Sequence, residues 1–413
     1  MRRSPAALAA VVASAAAGAW FAARALQQDF AAYWIAGAAR RAGLDPYVNH
    51  VDLAGPGAGG RLWDGVAIFR HSRFLYPPLA ADLFRPLAAL PYATAKGLFT
   101  AAMLAAWAAA GWIASDDRGG RRGRAVYFVA SALFFPFYRH LERGQIDLLI
   151  LLLLAVAWRA RARPLAAGAA LAAAAAFKPA LAGLVPVVWA GGRGRTALSA
   201  VAVGVALAGA TALCDGPALL RAYATGVLPR ASLYGEGGTP AMLLPEGQFP
   251  AADDEETTLF DGRRYRTAIG GAPAAASLPR LLAPEAPTPA SARLPFVLAL
   301  GALVLCARRL RDAGTGDHQG DRQALLTWAA AVACVVTSPA GWVMGLVLAL
   351  PLAPLYADLP AERRLPAGAA LAGAGAWVAL ALPQPFAGWA AVAGLVLVTA
   401  VVSIALRPAA VPT

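Results

Sequence analysis

Long apolar runs, separated by short arginine clusters and two longer polar stretches, set the pattern of this chain. A helix that crosses a bilayer needs about 20 apolar residues, and shorter ones are accommodated inside a bundle. The first run, Pro5 to Leu26, follows Arg2 and Arg3; its length and the runs behind it favour a retained helix over a cleaved signal peptide. Further spans are predicted near 92–114, 125–138, 144–158, 164–177, 180–191 and 195–214. After a polar stretch come 293–310, 323–337, 340–357, 366–382 and 387–406. The reading is an all-α polytopic membrane protein of about twelve transmembrane helices, the shorter runs being re-entrant, interfacial or half-length helices packed against protein. It divides into an N-terminal membrane module (1–214), an outer segment (215–292) and C-terminal membrane helices (293–413).

The arginines orient this bundle. With the N-terminus cytoplasmic, Arg118/Arg121/Arg122/Arg124, Arg159/Arg161/Arg163, Arg193/Arg195, Arg308/Arg309/Arg311 and Arg363/Arg364 all fall on alternate, inner connections. Both termini are then expected in the cytoplasm, and the segments 27–91 and 215–292 outside. Composition agrees: 59% of the 413 residues are hydrophobic and 14% charged, against roughly 25% charged in a soluble domain. The formal charge of +13 therefore reads as a topology signal, and nucleic acid is not expected as a partner. All basic residues except Lys96 and Lys178 are arginine, which with the Ala, Gly and Pro content points to a GC-rich bacterial genome and hence a bacterial plasma membrane. Cys214, Cys306 and Cys334 lack C-x-x-C spacing and are expected to be buried small hydrophobes.

Five groups of polar residues do not follow from the apolar pattern. Asp29 directly follows the first span; it either ends that helix in the headgroup region or is a carboxylate held at the boundary, with Tyr33 one turn on along the same face. Leu75-Tyr76-Pro77-Pro78-Leu79 forbids a helix interior and predicts a rigid turn. The run Tyr138 to Asp147 holds Arg139, His140, Glu142 and Arg143; a solvated hairpin tip would explain these charges. It would not explain Gln145 and Asp147 at the mouth of the apolar run Leu148 to Val156. Lys178-Pro179 places an ammonium between two apolar stretches, where it must snorkel, pair with an acid or bind an anion. Thr337-Ser338-Pro339-Ala340-Gly341-Trp342 reads as a turn with an interfacial tryptophan. The acidic run Asp253-Asp254-Glu255-Glu256 reads as solvated loop, and no phosphate loop, dinucleotide fingerprint or Asp-x-Asp metal motif is present.

Taken in order, Asp29-Phe30 with Tyr33, Gly43-Leu44-Asp45-Pro46-Tyr47, Tyr76-Pro77-Pro78-Leu79, Gly144-Gln145-Ile146-Asp147, Lys178-Pro179 and Ser338-Pro339 with Trp342 resemble glycosyltransferase family 87. The resemblance is to its polyprenol-phosphate-mannose-dependent alpha-mannosyltransferase type, within the GT-C superfamily. It implies a GT-C-like bundle, a polyprenyl-phosphate sugar donor in the bilayer and a glycan or glycolipid acceptor on the outer face; with Asp45, Asp52 and Asp64 scattered, no metal is invoked, and no cofactor is expected. Asp29 matches the general base of such inverting enzymes. Lys178, Arg143 and His140 are then expected on the donor phosphate, and Tyr33, Tyr76, Gln145 and Asp147 on the sugar or acceptor. Met344 and Gly345 depart from the polar residues that often accompany the Ser-Pro-x-x-Trp segment. A lipid-linked glycan transporter, or a GT-C transferase using another polyprenyl-phosphate sugar, is the alternative.

Overall fold

A computed structural model describes residues 5–47, 74–116, 120–231, 257–260, 263–266, 276–282, 288–313, 319–339, 341–359, 367–383 and 389–407. Arg118, Arg363, Arg364 and the acidic run 253–256 lie outside these residues. The N-terminal half comprises α1 (Pro5–Arg24), α2 (Gln28–Arg41), α3 (Pro78–Phe84), α4 (Tyr92–Asp116), α5 (Arg121–Ala132), α6 (Phe135–Arg143), α7 (Asp147–Arg159) and α8 (Pro164–Phe177). A 3-10 turn, Pro179–Gly183, leads into α9 (Leu184–Ala190), α10 (Gly194–Asp215), α11 (Pro217–Ala222), a π-turn at Tyr223–Val227 and α12 (Leu228–Ala231). Beyond lie α13 (Leu278–Leu282), α14 (Pro289–Asp312), α15 (Gln319–Val336), a 3-10 helix at Val343–Ala349, α16 (Leu352–Ala357), α17 (Ala367–Ala381) and α18 (Trp389–Leu406).

Within the described residues the apolar runs of the sequence are occupied by helix, several of them shorter than a full crossing. Among the described residues, four helices are long and apolar enough to span a membrane (Tyr92–Ser115, Gly194–Asp215, Ala290–Asp312 and Trp389–Leu406), and the bent α1–α2 pair makes a fifth if it counts as one span. Pro164–Phe177, Pro179–Ala190, Val343–Ala357 and Ala370–Ala381 are shorter apolar helices. Leu213 on α10 and Leu305 on α14 are largely exposed, as side chains that face lipid are. These helices mark a membrane protein.

Three local departures have physical causes. The run predicted at 125–138 is two helices, because Pro136 lacks an amide hydrogen and sits in the first turn of α6, where none is needed. Outside the helices, Thr257–Phe260 (β1) and Arg263–Arg266 (β2) pair antiparallel, Thr257 opposite Arg266, in a segment read from sequence as loop. Of the cysteines, Cys334 is buried as expected and Cys306 half-buried, but Cys214 is exposed near the end of α10. The core that positions the site is the packing of α1 on α5 and α6, α4 on α7, and α7 on α8. The Val343–Ala349 helix lies against α6, α7 and α15.

Candidate functional site

The site begins at a break. Gln27, with φ 58°, is the one non-glycine residue at positive φ among the described residues, and α1 and α2 meet there at 62°. A helix end leaves its last carbonyls without intrahelical partners, and α4 supplies them. Lys96 Nζ donates to the carbonyls of Ala22 (2.9 Å), Ala23 (3.0 Å) and Ala25 (2.8 Å), and the Tyr92 hydroxyl donates to Leu26 O. Gln27 itself donates to Thr100 Oγ1 (3.0 Å) and Leu141 O (2.7 Å). This buried staple restarts the chain at Gln28, so Asp29 lies in the first turn of α2, where a carboxylate suits the helix dipole. Tyr33 follows on the same face.

Opposite α2, α6 ends at Gly144, whose φ of 70° is the left-handed cap conformation. A Cβ there would lie 2.7 Å from the Cβ atoms of Gln27 and Phe30. Glycine is thus required by conformation and by close approach, and it seats the Arg143–Asp147 corner against α2.

The corner and α2 meet side chain to side chain. Asp29 is buried; its Oδ2 accepts from Gln145 Nε2 at 2.7 Å and from Arg143 Nε at 3.2 Å. Arg143 also donates to the Gln28 side-chain carbonyl. Gln145 Oε1 accepts the hydroxyls of Tyr33 and Tyr76, each at 3.2 Å, and those hydroxyls are 2.7 Å apart. Tyr76 arrives on the predicted rigid turn: Pro77 is extended and Pro78 opens α3. Asp45 Oδ1 accepts the Tyr47 amide (2.8 Å), a local turn that aims the Tyr47 hydroxyl at Tyr76 O, 2.8 Å away. Burial, with Asp147 nearby, pushes the Tyr76 hydroxyl well above its ordinary range, so it stays protonated.

Two residues past Gln145, Asp147 accepts from Lys178 Nζ at 2.6 Å. The lysine therefore pairs with an acid. Its helix α8 ends at Lys178 in an extended conformation, ahead of Pro179. The ammonium lies over bare backbone of the 3-10 helix: a Cβ on Gly345 would be 2.6 Å from Lys178 Nζ. The departure at Gly345 thus has a use.

The structure joins Asp29, Tyr33, Tyr76, Arg143 and Gln145 in one network and sets the Asp147–Lys178 pair beside it. Two residues expected on the donor phosphate have other partners in this structure. His140 is fully buried and its Nε2 accepts the Leu148 amide at 3.1 Å, so it caps α7 from within the protein and cannot touch a donor phosphate as it stands. Arg143 is engaged by Asp29 and Gln28 rather than held free for an anion. The 138–147 run is no solvated tip: Arg139 and Glu142 are buried and pair at 2.5 Å. Sequence reasoning missed Gln27, Gln28, Tyr92 and Lys96. The available signal was that a chain so rich in arginine keeps lysine at two positions alone, both at buried or partly buried acceptors.

Asp29, at the centre of the network, has a donor on each side and sits at a helix start; such a group can take a proton from a hydroxyl brought to it. No curated protein and no solved structure matches the chain. Residues 74–249 match the family model described as Glycosyltransferase family 87; that stretch carries Tyr76, the 140–147 corner and Lys178, supports this family, and indicates a glycosyltransferase with a sugar donor and an acceptor.

Proposed function

We propose that the chain is a GT-C-type transferase of a bacterial plasma membrane. It moves a hexose, mannose in the leading reading, from a polyprenyl phosphate to a glycan or glycolipid on the outer face. Both termini lie in the cytoplasm, and module 1–214 carries the chemistry. An acceptor hydroxyl attacks the anomeric carbon opposite the phosphate. The new C–O bond forms as the bond from carbon to phosphate oxygen breaks, and polyprenyl phosphate leaves. Asp29 takes the hydroxyl proton, and the single attack opposite the phosphate inverts the anomeric centre.

The observation that carries this reading is the Asp29 carboxylate within one hydrogen-bonded cluster two residues removed, through Gln145 and Asp147, from the Lys178 ammonium. A base and a cation this near suit a reaction that gains a proton at one end and negative charge at the other. Lys178 has further N–H groups beyond the one given to Asp147, and these would meet the departing phosphate. Arg143 orients Asp29, and Tyr33, Tyr76 and Gln145 form the wall against which a sugar would lie.

The test is release of polyprenyl phosphate from a polyprenyl-phosphate mannose by the full chain in liposomes. Asp29→Asn is expected to reduce the rate by about 10²–10⁴-fold with unchanged unfolding temperature. Wild-type-like turnover in that variant would remove the base.

A further inference from the structure

Asp29, Tyr33 and Gln145 are buried, so a sugar reaches them only if part of the protein moves aside. The segment after α10 is built to do this. Its anchor is Asp215, the last residue of α10, whose side chain is 2% exposed and accepts from the Arg40 guanidinium; Arg40 also donates to Asp82 of α3 at 3.3 Å. Gly216 follows at φ 84°, where a Cβ would meet nothing within 4 Å. A glycine-favoured conformation without crowding suits a hinge. Beyond it, α11 has six residues and none is buried, whereas isolated helices shorter than about 12–15 residues are marginal in water. Of the side chains described between 217 and 229, Tyr223 alone is buried.

Tyr223 opens the π-turn, and its ring stacks on Tyr47 with centroids 5.8 Å apart and planes at 25°. Tyr47 in turn donates to Tyr76 O, and the Tyr76 hydroxyl donates to Gln145. The Tyr223 hydroxyl is buried with no hydrogen-bond partner among the described residues, and an unpaired polar group weakens the docked state. We propose that 217–229 is a flap, hinged at Gly216 and plugged by Tyr223. It swings off Tyr47 to admit a sugar-bearing substrate to the wall of Tyr33, Tyr76 and Gln145, and closes to keep out water. The nature of that substrate rests on the proposed sugar transfer; the hinge and the plug do not.

The experiment is hydrogen–deuterium exchange mass spectrometry of the full chain in nanodiscs. Beside it runs release of polyprenyl phosphate from polyprenyl-phosphate mannose without added acceptor, where water attacks the anomeric carbon and frees mannose. Tyr223→Ala is expected to speed amide exchange across 217–229 by about tenfold or more, while α10 exchanges as in wild type, and to raise the release rate about tenfold. Tyr223→Phe keeps the ring and sheds the unpaired hydroxyl, so the segment should exchange no faster than in wild type. Unmoved exchange in Tyr223→Ala, or Tyr223→Phe exchanging as fast as Tyr223→Ala, overturns the flap. In an active enzyme, faster exchange without faster release overturns its role as a gate. Shifted exchange with no release from wild type or variant overturns the sugar transfer and leaves the flap in place.

Discussion

Gln145 holds Asp29 by its amide nitrogen, 2.7 Å from Oδ2, while its amide oxygen receives two tyrosine hydroxyls. An amide is suited to this place because it donates and accepts at once. Leucine would leave the buried carboxylate without one donor and the two hydroxyls without their acceptor.

Gln145→Leu should therefore lower kcat/KM for donor turnover by about tenfold to a hundredfold, the value of a hydrogen bond to a charged group. Gln145→Glu should be worse, since a second carboxylate at this distance makes one of the pair hold a proton. Initial rates of polyprenyl phosphate release across the two variants check the order. A Gln145→Glu enzyme faster than Gln145→Leu would contradict the role given to the amide.

Gly144 fixes where that amide sits. Alanine there carries the left-handed backbone penalty of about 1–2 kcal/mol and a Cβ 2.7 Å from two neighbouring Cβ atoms. Asparagine tolerates the backbone conformation but meets the same atoms, so Gly144→Asn should be no better than Gly144→Ala. Thermal unfolding of both in detergent is the measurement. Rescue by asparagine would mean that φ, and not contact with α2, is the constraint.

Much of this site was legible because its residues break a pattern. In an apolar chain, Asp29, Gln145, Asp147 and Lys178 stand out by the cost of placing polar groups near hydrocarbon, and they do gather. What could not be read was how they pair. Lys178 meets an acid 31 residues away and Arg143 meets Asp29 across 114, separations that local sequence does not encode. His140 was misread for a related reason: a histidine in a polar run looks the same whether it faces a ligand or caps a buried helix start. Helix positions in the membrane followed from the apolar runs, but their lengths did not, since prolines divide runs that hydropathy joins, and α2 forms in a segment that hydropathy leaves outside.

The Gln27 break depends on Lys96. With methionine at 96, the carbonyls of Ala22 and Ala23 in α1 and of Ala25 just past it lose a charged donor, at a cost of about 1–3 kcal/mol for each group left unsatisfied. Lys96→Met should lower the unfolding temperature more than Thr100→Val, which removes one hydrogen bond to Gln27. Differential scanning fluorimetry on the purified pair tests this. Equal unfolding temperatures would show that the staple is dispensable to the elbow that carries Asp29.

Gly345 separates stability from function. A methyl group there would reach 2.6 Å from Lys178 Nζ and 3.1 Å from Val335 Cγ1. The lysine is a flexible chain end and can swing aside, so the fold should survive Gly345→Ala with a modest loss. The ammonium, however, cannot then keep its 2.6 Å bond to Asp147. If Lys178 engages the donor phosphate, Gly345→Ala should raise the donor KM by about tenfold, as the loss of a charge-assisted contact does, and Lys178→Ala should raise it at least as much. The acceptor KM should stay near wild type in both. A Gly345→Ala enzyme with unaltered donor KM and weakened acceptor use would place Lys178 on the acceptor side of the reaction instead.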